Sequence, residues 1–250
     1  METKDSRIRR KVESKRQSQQ APRRTFHYRE DGEYSASGRA EEQGRLPEGM
    51  AEAYQLKLTL EGSKPPIWRR LVVPAAISLD ALHAVIQIVM EWDDDHLHQF
   101  RAGTRKDGDL TTFSVPGMIE DAVNLDEAKA RLDALLVRPK DKLLYLYDFG
   151  DSWLHSLVLE TILVLPSEEA AVPRCVTGER ASPLEDSGGL RGWERVCVAL
   201  ADPSDPDVDD LLEGFDPDFD PEAFDAEAIN RALKKRFAPK RRRGKAKVTG

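Results

Sequence analysis

The stretch KLLYLYDFGDSWLHSLVLETILVL, Lys142 to Leu165, decides the fold. Lys142–Phe149 and Trp153–Leu165 read as two strands. Gly150 and Asp151 between them supply the residues a tight turn needs, so the pair is a hairpin. Working towards the N-terminus, Tyr54, Leu56, Leu58 and Leu60 alternate with Gln55, Lys57, Thr59 and Glu61, the period of a half-buried strand. Pro65-Pro66 ends it, and Ile67–Val73 reads as its antiparallel partner, stopped by Pro74. Ser78 offers a helix N-cap, and Leu79, Leu82, Val85, Ile86 and Val89 then recur at helical spacing, predicting an amphipathic helix over 79–91. His96–Arg101 and Thr111–Val115 read as further strands, and 116–141 allows one short helix near 126–136.

Towards the C-terminus, 166–188 reads as a loop rich in Pro, Gly and Ser. Leu190, Trp193, Val196, Cys197 and Leu200 fit a helix face, and Asp225 can cap a last helix running to Phe237. Strands dominate the first part and helices the last, without regular βαβ alternation. The fold class is therefore α+β, a mainly antiparallel sheet packed with several helices in a single domain.

Charge divides the chain. Residues 1–24 hold nine Lys/Arg against three Asp/Glu, and 231–250 hold ten against none, so the body between is far more acidic than the net charge of −7 suggests. Residues 1–48 carry few large apolar side chains and no sustained period, too little to offset chain entropy. The expected organisation is a polar and basic unstructured tail over 1–48, a folded domain over 49–238, and a basic tail over 239–250. Two cysteines, Cys175 and Cys197, are too few for a disulfide framework. No apolar run is long enough to span a membrane, and the N-terminus lacks the apolar core of a secretion signal. The expectation is a soluble cytoplasmic protein with no membrane partner.

An ordered set of segments carries a family resemblance: Tyr54-Gln-Leu-Lys-Leu, Pro66-Ile-Trp-Arg-Arg, the helix ending in Trp92, and His96-Leu-His-Gln-Phe. Then follow Tyr147-Asp-Phe-Gly-Asp-Ser-Trp-Leu-His, Pro183-Leu-Glu-Asp-Ser-Gly-Gly-Leu-Arg-Gly-Trp and Phe219-Asp-Pro-Glu-Ala-Phe. Over 52–237 the chain resembles the plasmid pRiA4b ORF-3-like family, which includes TnpR-like passenger proteins of insertion sequences. The resemblance implies a compact α+β domain and an association with mobile DNA. It implies no established reaction, so no catalytic residue follows from it. Ser182 stands where the family often has a second cysteine, and Pro183-Leu184 where it often has Pro-Pro, which argues against a metal-binding cysteine pair.

The polar residues most suited to chemistry are His96, His98, Asp148, Asp151, His155, Glu185 and Asp186. On a strand, His96 and His98 share a face, and Asp151 and His155 flank the hairpin turn. Imidazole with carboxylate suits a divalent transition metal, with His98, Asp151 and His155 the ligands if one is bound, and such a set can activate water. No local motif fixes the ligands, and the plainer reading is that Asp151 and His155 pin the hairpin by hydrogen bonds; no cofactor is required. Asp148-Phe149-Gly150 lacks the phosphate loop and catalytic loop of a kinase, so its glycine serves a turn. Asp216, Asp218, Asp220 and Glu227 fall at calcium-loop spacing, but Pro221 occupies the position that needs glycine. Ser187-Gly188-Gly189 before a helix suits an anion, although Glu185 and Asp186 repel phosphate. Cys175 reads as an inert thiol, the four tryptophans as core, and Arg69-Arg70 as a small basic patch unless one or both pair with the acidic surface.

Lys234, Lys235, Arg236, Lys240, Arg241, Arg242 and Arg243 can neutralise phosphates without reading sequence. The functional expectation is a non-enzymatic accessory or binding module, contacting nucleic acid through its tails or a protein through its sheet. The alternatives are a metal-dependent hydrolase built on the His/Asp/Glu set, and a scaffold or regulatory protein with no ligand.

Overall fold

The computed structural model describes residues 26–28, 34–36, 46–103, 110–118, 124–201 and 218–238. Its centre is the hairpin of β8 (Lys142–Tyr147) and β9 (Trp153–Pro166). On one side β9 pairs with β3 (Met50–Leu60), β3 with β4 (Trp68–Pro74), and β4 with β10 (Arg174–Glu179). On the other, β8 pairs with β5 (His98–Ala102), β5 with β6 (Thr111–Ser114), and β6 with the two-residue β7 (Leu125–Asp126). The eight strands run β10-β4-β3-β9-β8-β5-β6-β7, antiparallel except for the final pair. The expected α+β domain, a mainly antiparallel sheet packed with several helices, is therefore what the structure shows, with five helices among the described residues. Phe26–Tyr28 (β1) and Tyr34–Ala36 (β2) form a separate antiparallel pair inside the stretch expected to be unstructured. The rest of 1–45, and everything after Ala238, lies outside the described residues.

Helix α1 (Leu79–Met90) lies across one face of the sheet. Its apolar stripe of Leu79, Leu82, Val85, Ile86 and Val89 is wholly buried, in one cluster with Leu56, Leu58, Leu71, Tyr145 and Leu157 of the sheet. Each such side chain contributes roughly 1.5–3 kcal/mol of burial. Ser78 stands at the N-cap without a side-chain bond, so the apolar stripe rather than the cap secures this helix. The described part of 116–141 holds β7, a single 3₁₀ turn over Glu127–Lys129 and the four-residue α2 (Leu132–Leu135).

The expected loop 166–188 is in part regular, which corrects that reading. It holds α3 (Ser167–Ala170) and the edge strand β10. Within β10 only Cys175 is buried, so no apolar period announces it. The outer edge of β4 gives it a partner. Helix α4 (Gly189–Ala201) and helix α5 (Ala226–Phe237) add Trp193, Val196, Ile229 and Leu233 to the main core. Asp225 caps α5 as expected, its carboxylate accepting from the amide of Ala228 at 2.9 Å. Asn230 of α5 then closes the open edge of β10: Oδ1 accepts from the amide of Cys175 and Nδ2 donates to its carbonyl, both at 2.8 Å. One side chain thus satisfies the backbone groups that a further strand would take.

Candidate functional site

The polar groups gather where the C-terminal end of α1 meets β5, the β8–β9 turn and the loop before α4. Helix periodicity puts His83 and Gln87 on the buried face of α1, four residues apart. Gln87 Nε2 donates to the Tyr145 hydroxyl at 2.9 Å. The hydroxyl's own proton then serves His83 Nδ1, 2.8 Å away, and His83 Nε2 donates to Asp94 at 2.7 Å. Burial, followed by the charge of His98, pushes the His83 pKa down, and the bond to Asp94 opposes that shift. The ring of His98 stacks on that of His83, centroids 3.5 Å apart and planes 5° apart. His98 Nε2 bonds the buried carboxylate of Glu127 at 3.0 Å.

His83, Asp94 and His98 converge closely enough to suggest a metal site. The stacking argues otherwise. A metal ion sits in the plane of each imidazole that binds it, about 2.0–2.1 Å from nitrogen. Two rings lying parallel at 3.5 Å present no common in-plane point to one ion. The group is a hydrogen-bonded brace between α1, β5 and the 3₁₀ turn.

The expected metal set of His98, Asp151 and His155 does not come together. His98 belongs to the brace. Asp151 Oδ2 accepts from the amide of Gly188 at 3.0 Å, just before the first turn of α4. The anion at that helix N-terminus is the protein's own carboxylate. Gly189 makes this approach possible: its φ is +67°, and a Cβ there would stand 2.5 Å from the Asp151 carbonyl oxygen. His155 lies wholly buried on β9, cross-strand from Tyr145 and Leu60, and contacts Trp92 edge-on. Its Nδ1 lies 3.1 Å from the carbonyl of Trp153, the only hydrogen bond the ring makes among the described residues. Burial lowers its pKa to about 4, so the ring is neutral near pH 7. Asp151 thus bonds the loop before α4 rather than its own hairpin, and His155 fills the core.

Of the remaining expected residues, Glu185 accepts from the amide of Asp93 at 2.6 Å and takes a short hydrogen bond from the Tyr147 hydroxyl. Burial, reinforced by that carboxylate, raises the Tyr147 pKa well above the usual phenol value. His96, Asp148 and Asp186 do converge, from three separate segments. His96 Nε2 lies 3.4 Å from Asp186 Oδ1, and Nδ1 lies 4.0 Å from Asp148 Oδ2.

Elsewhere Arg69 and Arg70 form no free basic patch, and Arg70 follows the pairing alternative. Arg69 is wholly buried, donating to the carbonyls of Val89, Trp68 and Glu179 and to Ser182 Oγ. Arg70 lies on the open sheet face, paired with both oxygens of Glu160 at 2.7 and 3.0 Å. Trp92, Trp153 and Trp193 are core, whereas Trp68 is half-exposed on the open face between Lys57 and Arg70. Burial drives the Cys175 thiol up to about 11, against nucleophilic use. Lys234, Lys235 and Arg236 are exposed on the last turn of α5, and Lys240 to Arg243 lie outside the described residues. No helix among the described residues is long and apolar enough to cross a membrane. Sequence reasoning missed His83, Gln87, Asp94 and Glu127; the signal for the first two was a polar pair interrupting an apolar helix face.

The segments that build this cluster are those that carry the family resemblance, and the chain belongs to that family: the model of the plasmid pRiA4b ORF-3-like proteins matches residues 52–228. An uncharacterised protein of Sinorhizobium fredii, y4hQ, is 35% identical over 189 residues, covering 74% of this chain and 92% of that one. The crystal structure of MM3350, a protein of unknown function from Methanosarcina mazei Go1, is 37% identical, with a TM-score of 0.64 over 71% of this chain and 96% of that one.

Proposed function

We propose that the protein is a non-enzymatic, cytoplasmic accessory protein that binds nucleic acid without sequence preference, through the basic end of α5 and the tract Lys240–Arg243. One observation carries this reading. Lys234, Lys235 and Arg236 are exposed together on the last turn of α5, and among the described residues none of them pairs with a carboxylate. Several surface cations elsewhere are engaged, as in Arg70–Glu160, Lys142–Glu61 and Arg174–Glu169. The α5 macrodipole favours positive charge at this end, and the tract that follows extends it. The acidic body repels phosphate, which confines contact to this terminus. The family's description, which refers to a plasmid reading frame, agrees with a role beside DNA. A non-enzymatic role is supported by the engagement of four of the seven candidate polar residues: His98, Asp151 and Glu185 are held in hydrogen bonds, and His155 is sealed in the core.

The test is equilibrium binding of the full chain to a short DNA duplex across a salt series. Each phosphate neutralised contributes a slope of about −0.9 in log K against log salt. Replacing Lys234, Lys235, Arg236, Lys240, Arg241, Arg242 and Arg243 with glutamine is expected to flatten that slope towards zero. An unchanged slope, or no binding by the parent protein at about 50 mM salt, overturns the reading.

A further inference from the structure

His96, Asp148 and Asp186 are the three expected residues that the hydrogen-bonded framework leaves open, and they come from the loop after α1, the β8–β9 turn and the loop before α4. One ligand atom of each lies within 4.8 Å of the others. His96 Nε2 is buried and has no hydrogen-bond partner among the described residues, and its nearest carboxylate is Asp186 at 3.4 Å. That separation suits two ligands of one ion, since metal–ligand bonds of about 2.0–2.2 Å put neighbouring ligand atoms roughly 3.3 Å apart.

The three segments are held in place independently of any ion. The amide of His96 donates to the Tyr147 hydroxyl at 3.3 Å, and the imidazole stands edge-on to the Tyr147 ring. Asp148 has φ +54°; its Oδ1 accepts from the amide of Gly150 at 2.8 Å, and its own amide donates to the Leu97 carbonyl at 2.9 Å. Oδ2 is left facing His96, 4.0 Å from its Nδ1. Asp186 also has a positive φ, and it is followed by Ser187, whose hydroxyl donates to the Leu184 carbonyl at 2.7 Å. Gly192 of α4 lets that turn close in, because a Cβ there would overlap the Ser187 carbonyl oxygen.

Charge points the same way. Among the described residues, no lysine or arginine pairs with Asp93, Asp94, Asp95, Asp148, Glu185 or Asp186, whereas Glu61, Glu160, Glu169 and Glu222 each have such a partner. Of the first six, Asp148 and Asp186 are the two that face His96, at 4.0 and 3.4 Å. A lone acidic cluster is an ordinary solvated surface, but His96 Nε2 is a buried nitrogen with no protein hydrogen-bond partner among the described residues.

We infer that His96, Asp148 and Asp186 bind one divalent transition-metal ion, of the zinc or manganese class, which ties the three loops together at the end of α1. One imidazole and two carboxylates are the donor set those ions accept. The role is structural: the ion adds a cross-link to segments that hydrogen bonds already hold in register, and binding adds directly to folding free energy.

The experiment uses the tag-free full chain, stripped with chelator and titrated with zinc chloride by calorimetry, with bound metal counted afterwards. About one ion per chain is expected. Asp148→Asn keeps the turn geometry, because asparagine also tolerates positive φ, and is expected to weaken binding at least about ten-fold. Asp94→Asn removes the exposed carboxylate of the stacked-histidine group and is expected to leave stoichiometry and affinity unchanged. Loss in Asp94→Asn with retention in Asp148→Asn would overturn the assignment, as would the absence of stoichiometric binding. A second measurement needs no variant: manganese added to the isotopically labelled parent chain is expected to broaden the amide signals of His96, Phe149 and Ser187 first. Broadening centred on His83 or on the C-terminal acidic segment would overturn the inference.

Discussion

Arg69 Nε donates to the carbonyl oxygen of Val89 at 3.1 Å, so a residue in the sheet terminates the helix that packs on it. The guanidinium is wholly buried, and it has no carboxylate partner among the described residues. Its charge is met by the negative end of the α1 macrodipole, by two strand carbonyls and by Ser182 Oγ. Desolvation lowers its pKa, yet a guanidinium stays charged, so the site depends on these acceptors remaining in place. Replacement by methionine keeps the bulk and strands three carbonyls. Arg69→Met is expected to cost about 3 kcal/mol in urea unfolding, and Arg69→Lys roughly half of that or more. An Arg69→Met protein as stable as the parent would mean that water satisfies these carbonyls.

His155 makes stability depend on acid. Its folded pKa, about 4, lies below the ordinary histidine value of 6.5, because burial penalises the charged ring. In the unfolded chain the ring takes its proton first, so unfolding is favoured as pH falls. The contribution is fully present above about pH 6.5, declines between 6.5 and 4, and is exhausted below. The loss is on the order of 3 kcal/mol at the acid end. Denaturant unfolding at a series of pH values should show this slope in the parent and lose most of it in His155→Leu. An equal slope in both proteins would assign the acid sensitivity to other groups, with His83, whose pKa is also lowered, the first to test.

The sequence made the centre of the sheet legible and its rim obscure, for physical reasons. β3, β8 and β9 bury alternate side chains between two neighbours, so their period of two is strong. The α1 stripe is read as easily because burial there is complete. β10 is an edge strand whose identity rests on backbone pairing with β4 and on a clamp from Asn230, fifty-five residues away. Neither leaves a local pattern. The site divides in the same way. His96, Asp148 and Asp186 stand out by residue type, but whether they meet depends on the turn at Gly188–Gly192 closing against Asp151. Glu127 lies in a stretch with no clear period, so its bond to His98 had no sequence signal.

Asn230 protects the free edge of β10. Its amide copies the donor and acceptor of a neighbouring strand, and Phe224 packs against Gly178 where a Cβ would stand 2.8 Å from the ring. Asn230→Ala is expected to cost about 1–3 kcal/mol, because the amide and carbonyl of Cys175 lose their partners. It should also speed hydrogen exchange at the Cys175 amide and raise self-association in sedimentation, since an open strand edge is a template for pairing. Unchanged exchange at Cys175 would show that α5 shields this edge by bulk rather than by the hydrogen bonds.

Asp151 tests whether the loop before α4 is held by charge or by shape. Its carboxylate accepts from the amide of Gly188, at the positive end of the α4 macrodipole. Asp151→Ala is expected to lower stability by about 1 kcal/mol, the usual worth of a cap. Asp151→Asn keeps an acceptor and loses only the charge, so its deficit should be smaller and should vanish at about 1 M salt, where the screening length falls to about 3 Å. Gly189→Ala attacks the shape instead: at φ +67°, with its Cβ 2.5 Å from the Asp151 carbonyl oxygen, alanine forces the turn and the helix apart. Its deficit should exceed that of Asp151→Ala and should not respond to salt. If Asp151→Asn matches Asp151→Ala at every salt concentration, the macrodipole contributes nothing here, and the glycines alone set the approach of α4 to the β8–β9 turn.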